Sequence, residues 1–166
     1  RLGAVVEAFD TRLAAREEVQ SLGAKFVEVE GAKDDKGAGG YAVEQSQEYK
    51  DKQKALIHDK ISKADVVITT AQLRGKKAPL LITTAMVDAM KPGSVIVDLA
   101  ASSGGNCELT ENNKVVTYNN ITIIGNSELA SEMPMHASQL YSKNIQNFMN
   151  VFLKEGNLNI DFENPI

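Results

Sequence analysis

The sequence is poor in the residues from which most self-contained active sites are built. It has one cysteine, Cys107, so no internal disulfide can form, which fits a reducing compartment. The two histidines, His58 and His136, lack neighbours at metal-ligand spacing. No Ser/His/Asp set can be drawn, and no close acid pair offers general acid and base chemistry. Structural roles are expected for His58, His136 and Cys107. Positive charge is short as well, with 18 Lys and Arg against 22 Asp and Glu and a formal net charge of −4. Without a basic stripe that alternates with aromatics, nucleic acid is not an expected partner. No apolar run approaches the ~18 residues needed to span a bilayer, and the polar start does not read as a signal peptide, so the segment is expected to sit in water without direct membrane insertion. What is present suffices for a core: 166 residues, 43% hydrophobic and 24% charged, fit a single domain.

A further absence concerns the opening stretch, "RLGAVVEAFDTRLAAREEVQSLGA". Ala4 to Phe9 form an apolar, β-branched run of the length of a buried parallel strand, and the run stops at Asp10. Thr11 can cap a helix in which Ala15, Val19 and Leu22 make one apolar stripe, and Gly23 stands where a left-handed terminator is favoured. In nucleotide-binding α/β folds, an acid at such a strand end accepts hydrogen bonds from the adenosine ribose and repels the extra phosphate of NADP, so Asp10 favours NAD. Two alternatives stay open: Asp10 only starts the next helix, or the neighbouring Arg12 welcomes a phosphate. The glycine fingerprint belongs roughly 20 residues before the acid. Only nine residues precede Asp10, so neither the fingerprint nor the first strand is in the sequence.

Further along, strands alternate with helices. "AKFVEVE", "ADVVITT", "GSVIVDLA", "KVVTYN" and "ITIIG" read as strands, and "EYKDKQKALIHDKI" and "TTAMVDAM" as helices. A long helix follows with Tyr141, Ile145, Phe148 and Phe152 on one face. This alternation predicts an α/β fold with a Rossmann-like, doubly wound parallel sheet, N-terminally truncated, over residues 1–166 without a second domain.

Ligands of such sheets bind beyond the carboxyl ends of the strands. Four loops qualify: "DTR", "EGAKDDKGAGGY", "TAQLRGKKAPLL" and "AASSGGNCE". The second holds four glycines between Glu30 and Gly40 with Tyr41 at its base, a composition that suits a lid or a plain surface loop. Arg74, Lys76 and Lys77 in the third could meet phosphates or simply face water. Gly104 and Gly105 in the fourth allow a sharp turn or a close ligand approach.

The segments "FDTR", "GAGGYAVE", "VVITTAQLRGKKAPLLIT" and "MKPGSVIVDLAASSGGNCE" together resemble the NAD(H)-binding domain, domain I of the alpha subunit, of proton-translocating NAD(P)+ transhydrogenases, in the family these share with alanine dehydrogenases. The resemblance spans nearly the whole chain in family order. It implies that Asp10, Thr11 and Arg12 hold the adenosine ribose, that Gly40 and Tyr41 form the base of a mobile loop closing over nucleotide, and that Thr70, Ala71 and Gln72 form a turn against the cofactor. The family often has an aliphatic residue where Gln72 stands. Ser102 occupies the position of an aspartate needed for catalysis in alanine dehydrogenases, and "GGNCE" at Gly104 to Glu108 is similar to the transhydrogenase ending. Both favour the transhydrogenase branch.

That resemblance also accounts for the missing acid and base. Hydride transfer between two nicotinamide rings requires no proton to be moved by the protein at the reacting carbon, so positioning and water exclusion suffice. The implied cofactors are NAD(H) in this segment and NADP(H) on a partner domain. The implied partners are that NADP(H)-binding domain, a membrane domain and a second copy in a homodimer. The implied location is the cytoplasmic face of the bacterial inner membrane or the mitochondrial matrix side. On this reading both ends are cut, "NLNIDFENPI" leads toward the membrane part, and the 166 residues alone are inactive. The alternatives are an alanine dehydrogenase-like NAD-dependent enzyme and a catalytically silent α/β fragment kept for folding or an interface.

Overall fold

The two strongest β-branched runs of the chain become neighbours. In the computed structural model, which describes residues 3–12, 15–29, 46–73, 75–154 and 156–160, β3 (Val66–Thr69) and β4 (Val95–Asp98) pair in parallel, Val66 opposite Val95 and Thr69 opposite Asp98. β6 (Ile121–Ile124) adds a parallel strand on the other side of β4, and β5 (Val115–Tyr118) closes the edge antiparallel to β6. The order is β3-β4-β6-β5. Two residues join β5 to β6, Asn119 and Asn120, both with positive φ of 48° and 63°. That is the backbone of a tight hairpin turn whose twist matches the strands, and Asn tolerates it better than most residues.

The core lies on the face of this sheet that carries Ile96, Ile121 and Ile123, all 1% exposed or less. Ile61 from α2 (Gln47–Lys63), Met86 and Val87 from α3 (Thr84–Asp88), and Ile82, Met90 and Cys107 from the connections complete it. Alternation along β6 explains the choice, since Ile121 and Ile123 share a face while Thr122 and Ile124 share the other.

The opening stretch forms a small β-α-β unit. β1 (Glu7–Ala8) pairs in parallel with β2 (Lys25–Phe26), with α1 (Ala15–Ser21) between them. The helix ends as expected at Gly23, φ 75°, whose N–H donates to Gln20 O at 2.8 Å while Ala24 N donates to Val19 O at 3.2 Å. This double bond is the Schellman closure that a left-handed residue permits. Both strands are shorter than the apolar runs predict. β1 is paired on one side among the described residues; Val6 O still accepts from Lys25 N at 2.9 Å, but Val5 beyond it is 96% exposed, so the strand ends there.

The Rossmann-like α/β arrangement therefore stands, with an antiparallel edge strand added at β5. Glu7 ties the small sheet to the rest: its carboxylate meets Lys60 of α2 at 2.8 Å and Lys25 of β2 at 3.3 Å. The chain continues through α4 (Leu129–Glu132) into α5 (Pro134–Phe152), then a hairpin of β7 (Leu153–Lys154) and β8 (Asn157–Leu158). α5 has the expected apolar face, and Phe148 meets Phe152 edge to face at 4.9 Å. That face is open, however, with Leu140 and Tyr141 each 69% exposed. Among the described residues no helix is long and apolar enough to cross a membrane. The loop from Glu30 to Tyr41 lies outside the described residues, as does Arg74.

Candidate functional site

Because β3 and β4 end in register, the loops that leave them emerge side by side. Asp98, the last residue of β4, is fully buried. Its Oδ1 accepts from Ala100 N at 3.0 Å, and its Oδ2 accepts from Asn106 N at 2.7 Å, Cys107 N at 3.0 Å and Thr110 Oγ1 at 2.7 Å. One carboxylate thus curls residues 98–110 around itself. Such a wrap needs the backbone to come close, and Gly105 shows why glycine is required. Its φ is 77°, and a Cβ there would lie 2.9 Å from Asp98 Oδ2 and from Thr110 Cβ.

The wrapped loop then holds its neighbour. The Asn106 side chain, also fully buried, accepts from Ala71 N at 3.0 Å through Oδ1 and donates through Nδ2 to Ala71 O at 2.9 Å and Pro79 O at 2.8 Å. Its own carbonyl accepts from Leu81 N at 2.8 Å and Ile82 N at 2.9 Å. Ala78 N donates to Ser103 O at 2.8 Å, and Gln72 Nε2 donates to Leu99 O at 3.0 Å. Thr70, Ala71 and Gln72 therefore sit at the carboxyl edge of the sheet, fastened to the β4 loop.

The rest of "GGNCE" is structural too. Cys107 is buried, and that burial pushes its thiol pKa up, so it is a poor nucleophile. Glu108 accepts from Thr84 N at 2.7 Å and Thr84 Oγ1 at 2.9 Å at the start of α3. These bonds hold its carboxyl below its usual value, the backbone N–H contributing most. Ser102 lies exposed in a single 3-10 turn, Ala101–Ser103.

The second group of predicted residues follows β1. Asp10 and Arg12 form a fork: Asp10 Oδ1 accepts from Arg12 N at 2.8 Å and Nε at 3.1 Å, and Oδ2 from Arg12 Nη2 at 2.7 Å. Partial burial pulls the Asp10 pKa upward, but the Arg12 hydrogen bonds outweigh it and hold the group below the usual carboxylate range. Asp10 is thus a carboxylate at neutral pH. Beneath it Tyr49, buried in the first turn of α2, has its phenol pushed up by burial and then by the Asp10 charge. Tyr49 went unpredicted because it reads as one more member of a charged helix.

The structure thus places Asp10, Thr11 and Arg12 after one parallel strand and Thr70, Ala71 and Gln72 after another, in separate sheets linked through Glu7 and Lys60. Gly40 and Tyr41 lie outside the described residues. Sequence reasoning missed Asp98 and Asn106, although an Asp closing a buried strand before two glycines is a readable signal. No group of His, Cys, Asp and Glu suited to a metal ion occurs among the described residues.

Comparison with known proteins bears on the family and the fold. The family described as alanine dehydrogenase/PNT, C-terminal domain, matches residues 1–166. The NAD(P) transhydrogenase subunit alpha of Haemophilus influenzae is 48% identical, over 99% of this chain and 33% of its own length. The crystal structure of transhydrogenase from Sinorhizobium meliloti superposes with a TM-score of 0.75 at 43% identity, over 99% of this chain and 42% of that one. An L-alanine dehydrogenase, 22% identical, shares the fold with a TM-score of 0.63 over 83% of this chain and 34% of its own. The chain spans about a third of the length of the Haemophilus relative. The family match over residues 1–166 and the similarity to the Haemophilus subunit along 99% of the chain lead to one conclusion: this chain belongs to the alanine dehydrogenase/PNT C-terminal domain family.

Proposed function

We propose that this chain is the NAD(H)-holding part of a proton-translocating NAD(P)+ transhydrogenase, an oxidoreductase in which hydride passes between NAD(H) here and NADP(H) on a partner domain. The observation that carries the reading is the carboxylate of Asp10 two residues beyond the parallel strand β1, in a chain similar over 99% of its length to a transhydrogenase alpha subunit. The fit is chemical. Held below the usual carboxylate range, Asp10 presents a charged acceptor to which a ribose hydroxyl can donate in exchange for one of the Arg12 or Thr11 donors now on it. Arg12 orients the carboxylate and keeps it charged, so a 2′-phosphate at the same place meets repulsion while a hydroxyl finds an acceptor.

Thr70, Ala71 and Gln72 supply the second wall, with Gly40 and Tyr41 as the closing loop. NAD(H), when bound, supplies the hydride-carrying nicotinamide. The chain's residues orient it and exclude water. Ser102 weighs against the alanine dehydrogenase alternative, because a serine cannot act as the carboxylate at that position. The proposal includes an NADP(H)-binding domain, a membrane domain and a second copy as partners, on the cytoplasmic or matrix face of a membrane. It also treats the segment as a partial domain completed by a strand between β1 and β3. The supporting observation is that each of the two strands has a ladder partner on one side among the described residues.

Asp10→Ala in the full-length protein tests the reading. The native protein should prefer NADH to NADPH, and the variant should narrow that preference by about tenfold, the effect of stranding or removing one buried polar partner. Equal binding of both nucleotides by the native protein would contradict it.

A further inference from the structure

We propose that Asn106 is a positioning residue whose carboxamide clamps the backbone N–H and C=O of Ala71 and so presets the Thr70–Gln72 turn to receive the nucleotide. The proposal rests on the reading of that turn as a wall of the NAD(H) site. Asn106 uses both functions of its side chain on the backbone of one residue, accepting from Ala71 N and donating to Ala71 O, and so grips the two peptide units on either side of Ala71; its other N–H goes to Pro79 O. The turn is thereby held from a residue 35 positions away, and the same side chain fixes the far end of the loop. Asn106 is itself immobilised, because Asp98 holds its backbone N–H at 2.7 Å and its side chain is fully buried.

The chemistry of the clamp is specific to an amide. A carboxylate of the same shape has no N–H to give and would face the carbonyls of Ala71 and Pro79 with like polarity. A leucine has neither function, and a glutamine is one methylene too long for the gap. The remaining described tie on the turn, Gln72 to Leu99 O, is made by an exposed side chain and constrains it less. Removing the carboxamide leaves the β3–β4 register, the Asp98 hub and the Asp10–Arg12 fork with all their own atoms. Nucleotide binding and folding should therefore respond separately.

The test is made in the full-length protein with its partner domains. Amide exchange is measured over residues 70–73, and hydride transfer is measured against NADH concentration. In the native protein the Ala71 amide should exchange slowly before NADH is added. In Asn106→Ala that protection should fall and the KM for NADH should rise by about tenfold, with kcat at saturation changed far less, as expected when a net hydrogen-bond contribution to binding is lost. Asn106→Asp should not rescue either readout. An Asn106→Ala protein with unchanged KM and an Ala71 amide as protected as before would overturn the role of Asn106 alone. If that variant does not fold, the native exchange decides, and an Ala71 amide that exchanges freely without NADH would overturn it. A native protein that binds no NADH would overturn the functional reading, and this proposal with it.

Discussion

Around Asp98, a fully buried carboxylate collects four hydrogen bonds and Gly105 makes room for the wrap. Around β1, a two-residue strand stands beside Val5, 96% exposed, and β3 bares Val66 and Ile68 at 59% and 63%. The two regions belong to one chain, yet the hub meets its polar needs internally and the strands β1 and β3 leave apolar side chains exposed. The difference teaches where the fold's stability resides. It is concentrated at β4, β6 and the loops they carry, and the β1–β2 unit and α5 present surfaces that packing alone has not used.

The largest effect should come from the hub. Asp98→Ala removes the acceptor of three backbone N–H groups and one hydroxyl, and each buried group left unpaired costs about 1–3 kcal/mol. Since relaxation is shared, a loss of roughly 3–5 kcal/mol is expected. Denaturant unfolding would measure it, and a loss under 1 kcal/mol would mean that the wrap is ornamental. Gly105→Ala comes next. Positive φ costs a non-glycine residue about 1–2 kcal/mol, and the new methyl at 2.9 Å from Asp98 Oδ2 adds overpacking, for about 2–3 kcal/mol in total by the same assay.

Both regions were only partly legible. Asp10 just beyond a strand, Gly23 ending a helix and the two apolar runs that became β3 and β4 were readable, because each signal is local. The work of Asn106 was not. An Asn after two glycines reads as a turn residue, and its partners lie 27 to 35 positions away, beyond the reach of any periodicity. β1 came out short for the opposite reason: an apolar run states that a strand can form, but its length depends on a partner on each side. The face of α5 was legible as amphipathic, yet pattern alone does not say that a surface is covered.

Smaller effects sharpen the contrast. Lys60→Met breaks one arm of the bridge from α2 to Glu7, and a partly exposed ion pair of this kind contributes about 0.2–1 kcal/mol. The Glu7 carboxyl is held low, chiefly by its hydrogen bond to Lys60. That contribution is therefore present above the ordinary carboxylate pKa and fades as pH falls through the lowered one. Acid titration of the two proteins should converge at low pH, and curves that stay parallel would deny the bridge a role. Smallest of all, Leu140→Gln on the open face of α5 should change the stability of these 166 residues by less than about 0.5 kcal/mol. A larger loss would show that this face is already packed.

The central claim is that this chain holds NAD(H) for transfer of hydride to a second nucleotide. Following deuterium from the reacting carbon of labelled NADH, in the full-length protein with NADP+ added, tests it most directly. The account predicts that the label arrives in NADPH without loss to water, since the protein moves no proton at that carbon. Absence of transfer, or label washed out into solvent, would contradict it.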